Sequence, residues 1–284
     1  MAQQMLGREV SAAINDRVKA QVKELEEKGI VPLLRIIRVG EKSSDLAYER
    51  GALKKCSSLG IRTDRVLFPE TVSETELLEA VDDANLDSRV HGVLLLRPLP
   101  KHLDQDRIAN ALLPQKDVDC MTDLSMSGVF TGKKLGFPPC TAQAVMEILT
   151  YYGVDPAGRR AAVIGRSAVI GRPAAMMLMQ KNATVTICHT KTVNMDEIAR
   201  EADILVAAAG HPRTVSASCV RKGQTVIDVG INVDENGKLC GDVDYESVEP
   251  IVERITPVPG GVGAVTTSVL ASHTAEAALR IALV

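Results

Sequence analysis

Residues 161–175 read AAVIGRSAVIGRPAA, and the change of character within this stretch decides the fold. Ala161 to Ile164 is a short apolar run of the kind that forms a buried strand. It breaks at Gly165, Ser167 and Gly171, and a helical pattern follows. Such a turn aims the helix's N-terminal N–H groups and positive dipole end at its contents, which makes a seat for phosphate. The spacing is GxSxxxG, one residue longer than the common GxGxxG fingerprint, so by itself it also fits an ordinary strand-to-helix turn. A second strand is predicted over residues 184–188, and it ends in His189, Thr190 and Lys191 with no acid among them. A carboxylate there would hold a ribose hydroxyl, as NAD requires, whereas hydroxyl and cationic donors suit a 2′-phosphate. NADP is therefore favoured over NAD.

The rest of the composition narrows the class. At 284 residues, 45% hydrophobic and 24% charged, the chain is long enough for two domains with cores of their own. A formal net charge of -3 gives no general attraction to nucleic acid or to an anionic membrane. Aromatic residues are 2% of the chain with no Trp, which removes the stacking platforms of single-strand binders. No apolar run approaches the roughly 18 residues of a membrane span, and the N-terminus is polar and then helical. Six cysteines are scattered without a CxxC pair, so reduced thiols and a cytoplasmic location are expected, with no metal site. His91, His102, His211 and His273 show no metal-ligand spacing either.

Upstream of the organising stretch, helix and strand alternate. A helix over residues 8–28 stops at Gly29, and strands are expected at 32–39, 61–68 and 90–96. Between them lie a helix capped by Ser43 or Ser44 and a second one opened by the capping box Ser73 and Glu76. That order predicts a parallel sheet with helices on its faces. Residues 121–139 are rich in Ser, Gly, Thr and Pro and read as loop, with a domain boundary near 138–140. The second half repeats the alternation, and the Gly/Pro loop 256–263 precedes a last Ala-rich helix. The expected fold is α/β in two domains, residues 1–139 with 264–284 and a Rossmann-type domain at 140–263.

Seven segments, in order, together resemble the methylenetetrahydrofolate dehydrogenase/cyclohydrolase family. They are VGEKSSDLAY (39–48), RPLP (97–100), KDVD (116–119), PCT (139–141), GRSAVIGRP (165–173), CHTKT (188–192) and TPVPGGVGAVT (256–266). The resemblance implies a homodimer of two-domain subunits, an N-terminal folate domain, a C-terminal NADP domain and a folate cleft between them. It implies that Tyr48 packs beside the folate and that the Asp119 carboxylate hydrogen-bonds the pteridine. Gly165, Arg166, Ser167, Thr190 and Ile231 would contact the cofactor, with Arg166 and Thr190 reaching the 2′-phosphate. Pro257, Gly260, Gly261 and Val262 would belong to the loop that closes over folate and nicotinamide. Without the resemblance, Tyr48 reads as the edge of a helix core and Asp119 as a turn residue.

Two departures bear on the chemistry. Members with both activities have a lysine four residues after the tyrosine and a glutamine two before the first proline of the PLP run. Here those positions are Ala52 and Leu96. Cys120 also replaces a family glycine. Hydride loss from a carbon flanked by two nitrogens needs alignment and no base, whereas hydrolysis needs a group that deprotonates water. The expectation is a working dehydrogenase with weak or absent cyclohydrolase activity, Lys55 being the conceivable substitute base. Two other readings remain open, a dehydrogenase for another small substrate and a catalytically silent dinucleotide-binding protein.

Overall fold

The computed structural model describes residues 1–235 and 237–282. In chain order, the short strand β1 (Gln3–Gln4) precedes helix α1 (Gly7–Glu27), and β2 (Leu33–Val39), α2 (Ser43–Ser58), β3 (Arg62–Phe68), α3 (Glu74–Leu86) and β4 (Gly92–Leu95) follow. Helices α4 (Gln105–Asn110), α5 (Asp123–Thr131) and α6 (Cys140–Tyr151) come next. The nucleotide-binding pattern is then built from β5 (Arg160–Ile164), α7 (Gly171–Gln180), β6 (Thr184–Cys188), α8 (Met195–Glu201), β7 (Ile204–Ala207) and β8 (Thr225–Asp228). A hairpin of β9 (Asn232–Val233) and β10 (Leu239–Cys240), the turn of helix α9 (Tyr245–Val248), β11 (Arg254–Ile255) and α10 (Thr266–Ile281) complete the chain.

The chain divides into two compact units. One comprises Ala13–Cys140 and the chain from Thr267 onward; the other comprises Met1–Ala12 and Thr141–Thr266. This differs at its start from the expected division, because the first residues follow strand pairing rather than sequence order: β1 lies parallel to β11, with Gln3 opposite Arg254.

In the unit that begins at Ala13, β2 is the central strand of a parallel sheet in the order β3–β2–β4. Ile37, Val39, Val93 and Leu95 pack with Leu77, Val81 and Ile108 in a buried cluster, which is why β4 reads as a wholly apolar run. The Ser73–Glu76 capping box is present as expected. The expected serine cap of α2 is not: Lys42 occupies the cap position without a side-chain cap bond. Residues 123–131, expected as loop, form α5. Thr122 caps it by accepting the Ser125 N–H at 3.1 Å, and Gly132 ends it in the left-handed conformation. The Ser and Gly residues that suggested a loop are the cap and stop of a short helix.

In the other unit the described strands other than the β9–β10 hairpin form a parallel sheet in the order β1–β11–β8–β7–β5–β6. The chain leaves β5 to one side to make β6 and returns to the other side to make β7. That reversal is a topological switch point, and open α/β sheets bind ligands in the crevice beyond the carboxyl ends of the strands there. Among the described residues no helix is long and apolar enough to cross a membrane.

Candidate functional site

The α2 helix buries Asp45, Glu49, Ala52 and Cys56, a stripe at helical spacing. Glu49 accepts Arg38 Nε at 2.6 Å and Arg65 Nη1 at 3.2 Å, which locks the helix onto the strands on either side of it in the chain, β2 and β3. Lys42 Nζ donates to the Pro98 carbonyl at 2.7 Å and so ties the start of α2 to the Arg97–Pro100 loop. Tyr48 lies beside the buried stripe, half-buried, and Ala52 one turn on is completely buried. Leu96 is also buried, so both positions that hold polar groups in the two-activity pattern are apolar and out of water.

Asp119 is placed by the segment that precedes it. Lys116 Nζ donates to the carbonyls of Ala84, Asn85 and Asp87 at 2.8, 2.9 and 2.8 Å, satisfying the C-terminal end of α3. The buried Asp117 carboxylate accepts the N–H groups of Met121 and Thr122, both at 2.9 Å. Between these anchors Cys120 is held at φ +56, a left-handed conformation that suits glycine, so the backbone keeps the glycine shape although the residue is cysteine. Asp119 Oδ1 accepts the Cys140 N–H at 3.1 Å. Behind it, the Val118 carbonyl accepts from Cys140 Sγ at 3.4 Å and His273 Nδ1 at 2.9 Å. A carbonyl only accepts, so this contact assigns the His273 proton to Nδ1.

Electrostatics tie Tyr48 to this group. Burial pushes the Tyr48 hydroxyl well above its usual range, and the acidic groups of Cys140, Asp119 and Cys56 push the same way. The ring is therefore neutral at physiological pH. Burial also raises the Asp119 carboxyl, against the opposing pull of the Cys140 hydrogen bonds and the Arg97 charge. The unit thus brings Tyr48, Asp119, Arg97 and Cys140 into one neighbourhood, of which Cys140 was not foreseen as a partner of Asp119. Its position immediately after Pro138 and Pro139 is the signal that a chain reversal returns there.

In the other unit Gly165 follows β5 with φ +117, and a Cβ there would overlap the Ala208 carbonyl. A Cβ on Gly171 would overlap the Gly165 carbonyl, so both positions need glycine for close backbone approach. The first N–H groups of α7 do not point outward as expected. Ser167 Oγ accepts those of Ile170 and Gly171 at 3.1 and 3.3 Å, and the Ser167 carbonyl accepts that of Arg172 at 3.1 Å. What faces solvent is the turn itself, residues 166–169, which includes Arg166.

Past β6, His189 N–H donates to Thr192 Oγ1 at 2.8 Å and Lys191 N–H to His189 Nδ1 at 3.1 Å, leaving Thr190 and Lys191 exposed at a strand end without an acid. A close-packed glycine turn at the switch point with cationic and hydroxyl groups on its rim fits a 2′-phosphorylated dinucleotide. Ile231 is 70% exposed between β8 and β9, and its Cδ1 lies beside Gly263. The loop carrying Pro257, Gly260, Gly261 and Val262 is held by the Gly7 N–H, which donates to the Gly260 carbonyl at 2.8 Å. Pro257 is half-buried, Gly260 exposed, and Gly261 and Val262 are buried.

The chain is similar to known proteins along nearly its whole length. Residues 5–119 match the family model of the tetrahydrofolate dehydrogenase/cyclohydrolase catalytic domain, and residues 139–282 match the model of its NAD(P)-binding domain. The chain is 49% identical over 279 residues to the bifunctional protein FolD of Carboxydothermus hydrogenoformans, covering 98% of this chain and 97% of that one. The crystal structure of the Campylobacter jejuni bifunctional enzyme FolD superposes with a TM-score of 0.96 at 37% identity, covering 99% of both chains. The Trypanosoma brucei methylenetetrahydrofolate dehydrogenase-cyclohydrolase, solved with NADP and an inhibitor, gives 0.92 at 34% identity and 98% of both. With both halves matched in order and the fold shared throughout, this chain belongs to the tetrahydrofolate dehydrogenase/cyclohydrolase family.

Proposed function

We propose that the protein oxidises 5,10-methylenetetrahydrofolate to 5,10-methenyltetrahydrofolate with NADP and hydrolyses the product weakly or not at all. The observation that carries the reading is that Tyr48 and Asp119 share one neighbourhood while Ala52, at the position of the family lysine, is a buried methyl group. Asp119, its Oδ1 fixed by Cys140, accepts hydrogen bonds from the pteridine ring. The neutral Tyr48 ring packs beside the folate and excludes water from the reacting carbon. Bound NADP supplies the hydride acceptor, held by the Gly165 turn, Arg166, Ser167, Thr190 and Ile231. The loop of Pro257, Gly260, Gly261 and Val262 covers folate and nicotinamide.

The lone pairs of the two nitrogens stabilise the cation left behind, so positioning suffices for this step. Hydrolysis of that cation has to remove a proton from the attacking water, and a positioned base typically contributes about 10² to 10⁴ in rate. Neither Ala52 nor Leu96 can provide one. All six cysteines are free thiols, which supports a cytoplasmic location, and the family resemblance supports a homodimer.

One observation favours a second reading. The Carboxydothermus hydrogenoformans and Campylobacter jejuni relatives are called bifunctional, and burial lowers the amine of the half-buried Lys55, which contacts Asn15 Oδ1 at 3.4 Å. A lysine so shifted is a suitable base. Product analysis after stoichiometric oxidation separates the two: accumulated methenyl product supports the first reading, and formyl product at the rate of oxidation supports the second. Absence of NADPH formation when methylenetetrahydrofolate is added sinks both.

A further inference from the structure

Two buried carboxylates lie behind the strand ends of the nucleotide-binding unit. Asp228 closes β8 and is 3% exposed. Its Oδ1 accepts the N–H groups of Gly230 and Asp242 at 2.9 and 3.0 Å, and its Oδ2 accepts that of Val243 at 3.0 Å. Asp242 is completely buried. Its Oδ2 accepts the Gly210 N–H at 2.9 Å, and its Oδ1 accepts Asn232 Nδ2 at 2.8 Å.

These bonds converge on residues that face the coenzyme in the reading above. Gly230 and Asn232 flank the exposed Ile231, one held by Asp228 and the other by Asp242. Gly210 belongs to the loop after β7, whose Ala208 carbonyl lies against Gly165. The packing leaves no slack: a Cβ on Gly230 would run into Asp242, and one on Gly241 would overlap the Asp228 carboxylate. Two neighbouring buried carboxylates are a costly way to fill a core, since each loses its hydration and repels the other. What they provide is direction, because each oxygen fixes a named donor.

We propose that Asp228 and Asp242 are positioning residues for the NADP site. Asp242 ties the 208–210 loop to the residue after Ile231, and Asp228 ties the residue before Ile231 to the segment carrying Asp242, so both coenzyme-facing loops are set together. This rests on the assignment of Gly165 and Ile231 as coenzyme contacts.

The test uses the full chain with NADP itself as the probe. In Asp242→Asn one of the two donors faces an amide NH₂, and the dissociation constant for NADP rises about tenfold or more. The turnover rate at saturating NADP and the KM for folate change little. Combining Asp242→Asn with Asn232→Asp reverses the donor and acceptor of that pair. The amide oxygen at 242 then serves the Gly210 N–H while its NH₂ serves the new carboxylate, and NADP affinity returns to within a few-fold of the parent.

Asn232→Ala removes one donor without touching the buried acid, and it carries the test should Asp242→Asn fail to fold. Unchanged NADP affinity in folded single variants overturns the positioning role. So does an equal loss of NADP and folate affinity, or a loss that the reversed pair does not restore. A parent protein that binds no NADP overturns the site assignment itself, and the positioning role with it.

Discussion

Asp119 Oδ1 accepts the backbone N–H of Cys140 at 3.1 Å, so the first residue of α6 orients the carboxylate that closes the KDVD segment. The donor is a main-chain N–H, which every residue except proline would supply at 140. Replacing Asp119 by Ala is expected to raise the KM for methylenetetrahydrofolate about 10- to 100-fold, the range of a lost hydrogen bond to a charged group. The KM for NADP should stay within a few-fold. Steady-state kinetics with each substrate varied in turn will tell, and an unchanged folate KM removes Asp119 from the substrate site.

Ala52 and Leu96 set the second expectation. Restoring the polar pair as Ala52→Lys with Leu96→Gln should raise methenyl hydrolysis by a factor within the 10² to 10⁴ range of a positioned base, with dehydrogenase activity retained. Lys55→Met should leave the parent's rate of hydrolysis unchanged. If that variant instead loses hydrolysis tenfold from a substantial parent rate, the second reading is the correct one.

Arg166 is exposed on the turn after β5. Its loss should lower kcat/KM for NADP by about 10- to 100-fold through the missing charge-assisted bond to the 2′-phosphate. Activity with NAD, which lacks that phosphate, should change little. The ratio of the two coenzymes in one assay gives the answer, and a parallel loss with both would place Arg166 elsewhere than at the 2′-phosphate.

Asp228 titrates at about 6, raised chiefly by burial and also by Asp242, although three backbone N–H groups pull it down. Arg213, Asp234, Lys238, Asp244, Tyr245 and Glu246 line the adjoining pocket. Because the folded-state value lies above the unfolded one, the folded protein binds this proton more tightly. The group's contribution to stability is therefore full below about pH 4 and is lost as pH rises through about 6, amounting to about 3 kcal/mol. Urea unfolding from pH 4 to 7, compared with Asp228→Asn, should show the parent losing that much more stability on the way up. A carboxyl titration with its midpoint near 4 contradicts this.

Much of the fold is readable from local pattern. The strands β2 to β6 and the helices α1, α3 and α7 fall within a few residues of where periodicity and caps place them, since period and capping are properties of neighbouring residues. The short pairs β1, β9, β10 and β11 carry no such signal, because two residues become a strand only through a distant partner. The α5 helix was hidden for another reason: its cap and stop residues are the ones that also mark loops.

The order of the motifs, the glycine turn after Ile164 and the acid-free end of β6 are all linear facts, and they suffice for the family. Tertiary structure alone decided that Cys140 is the partner of Asp119, that Asp228 holds the Asp242–Val243 segment and that Asp242 holds Gly210. Those are hydrogen bonds whose donors and acceptors are chosen by burial. A buried polar group has to find whichever partner the packed chain brings within about 3 Å, and proximity of that kind is not encoded by spacing along the sequence.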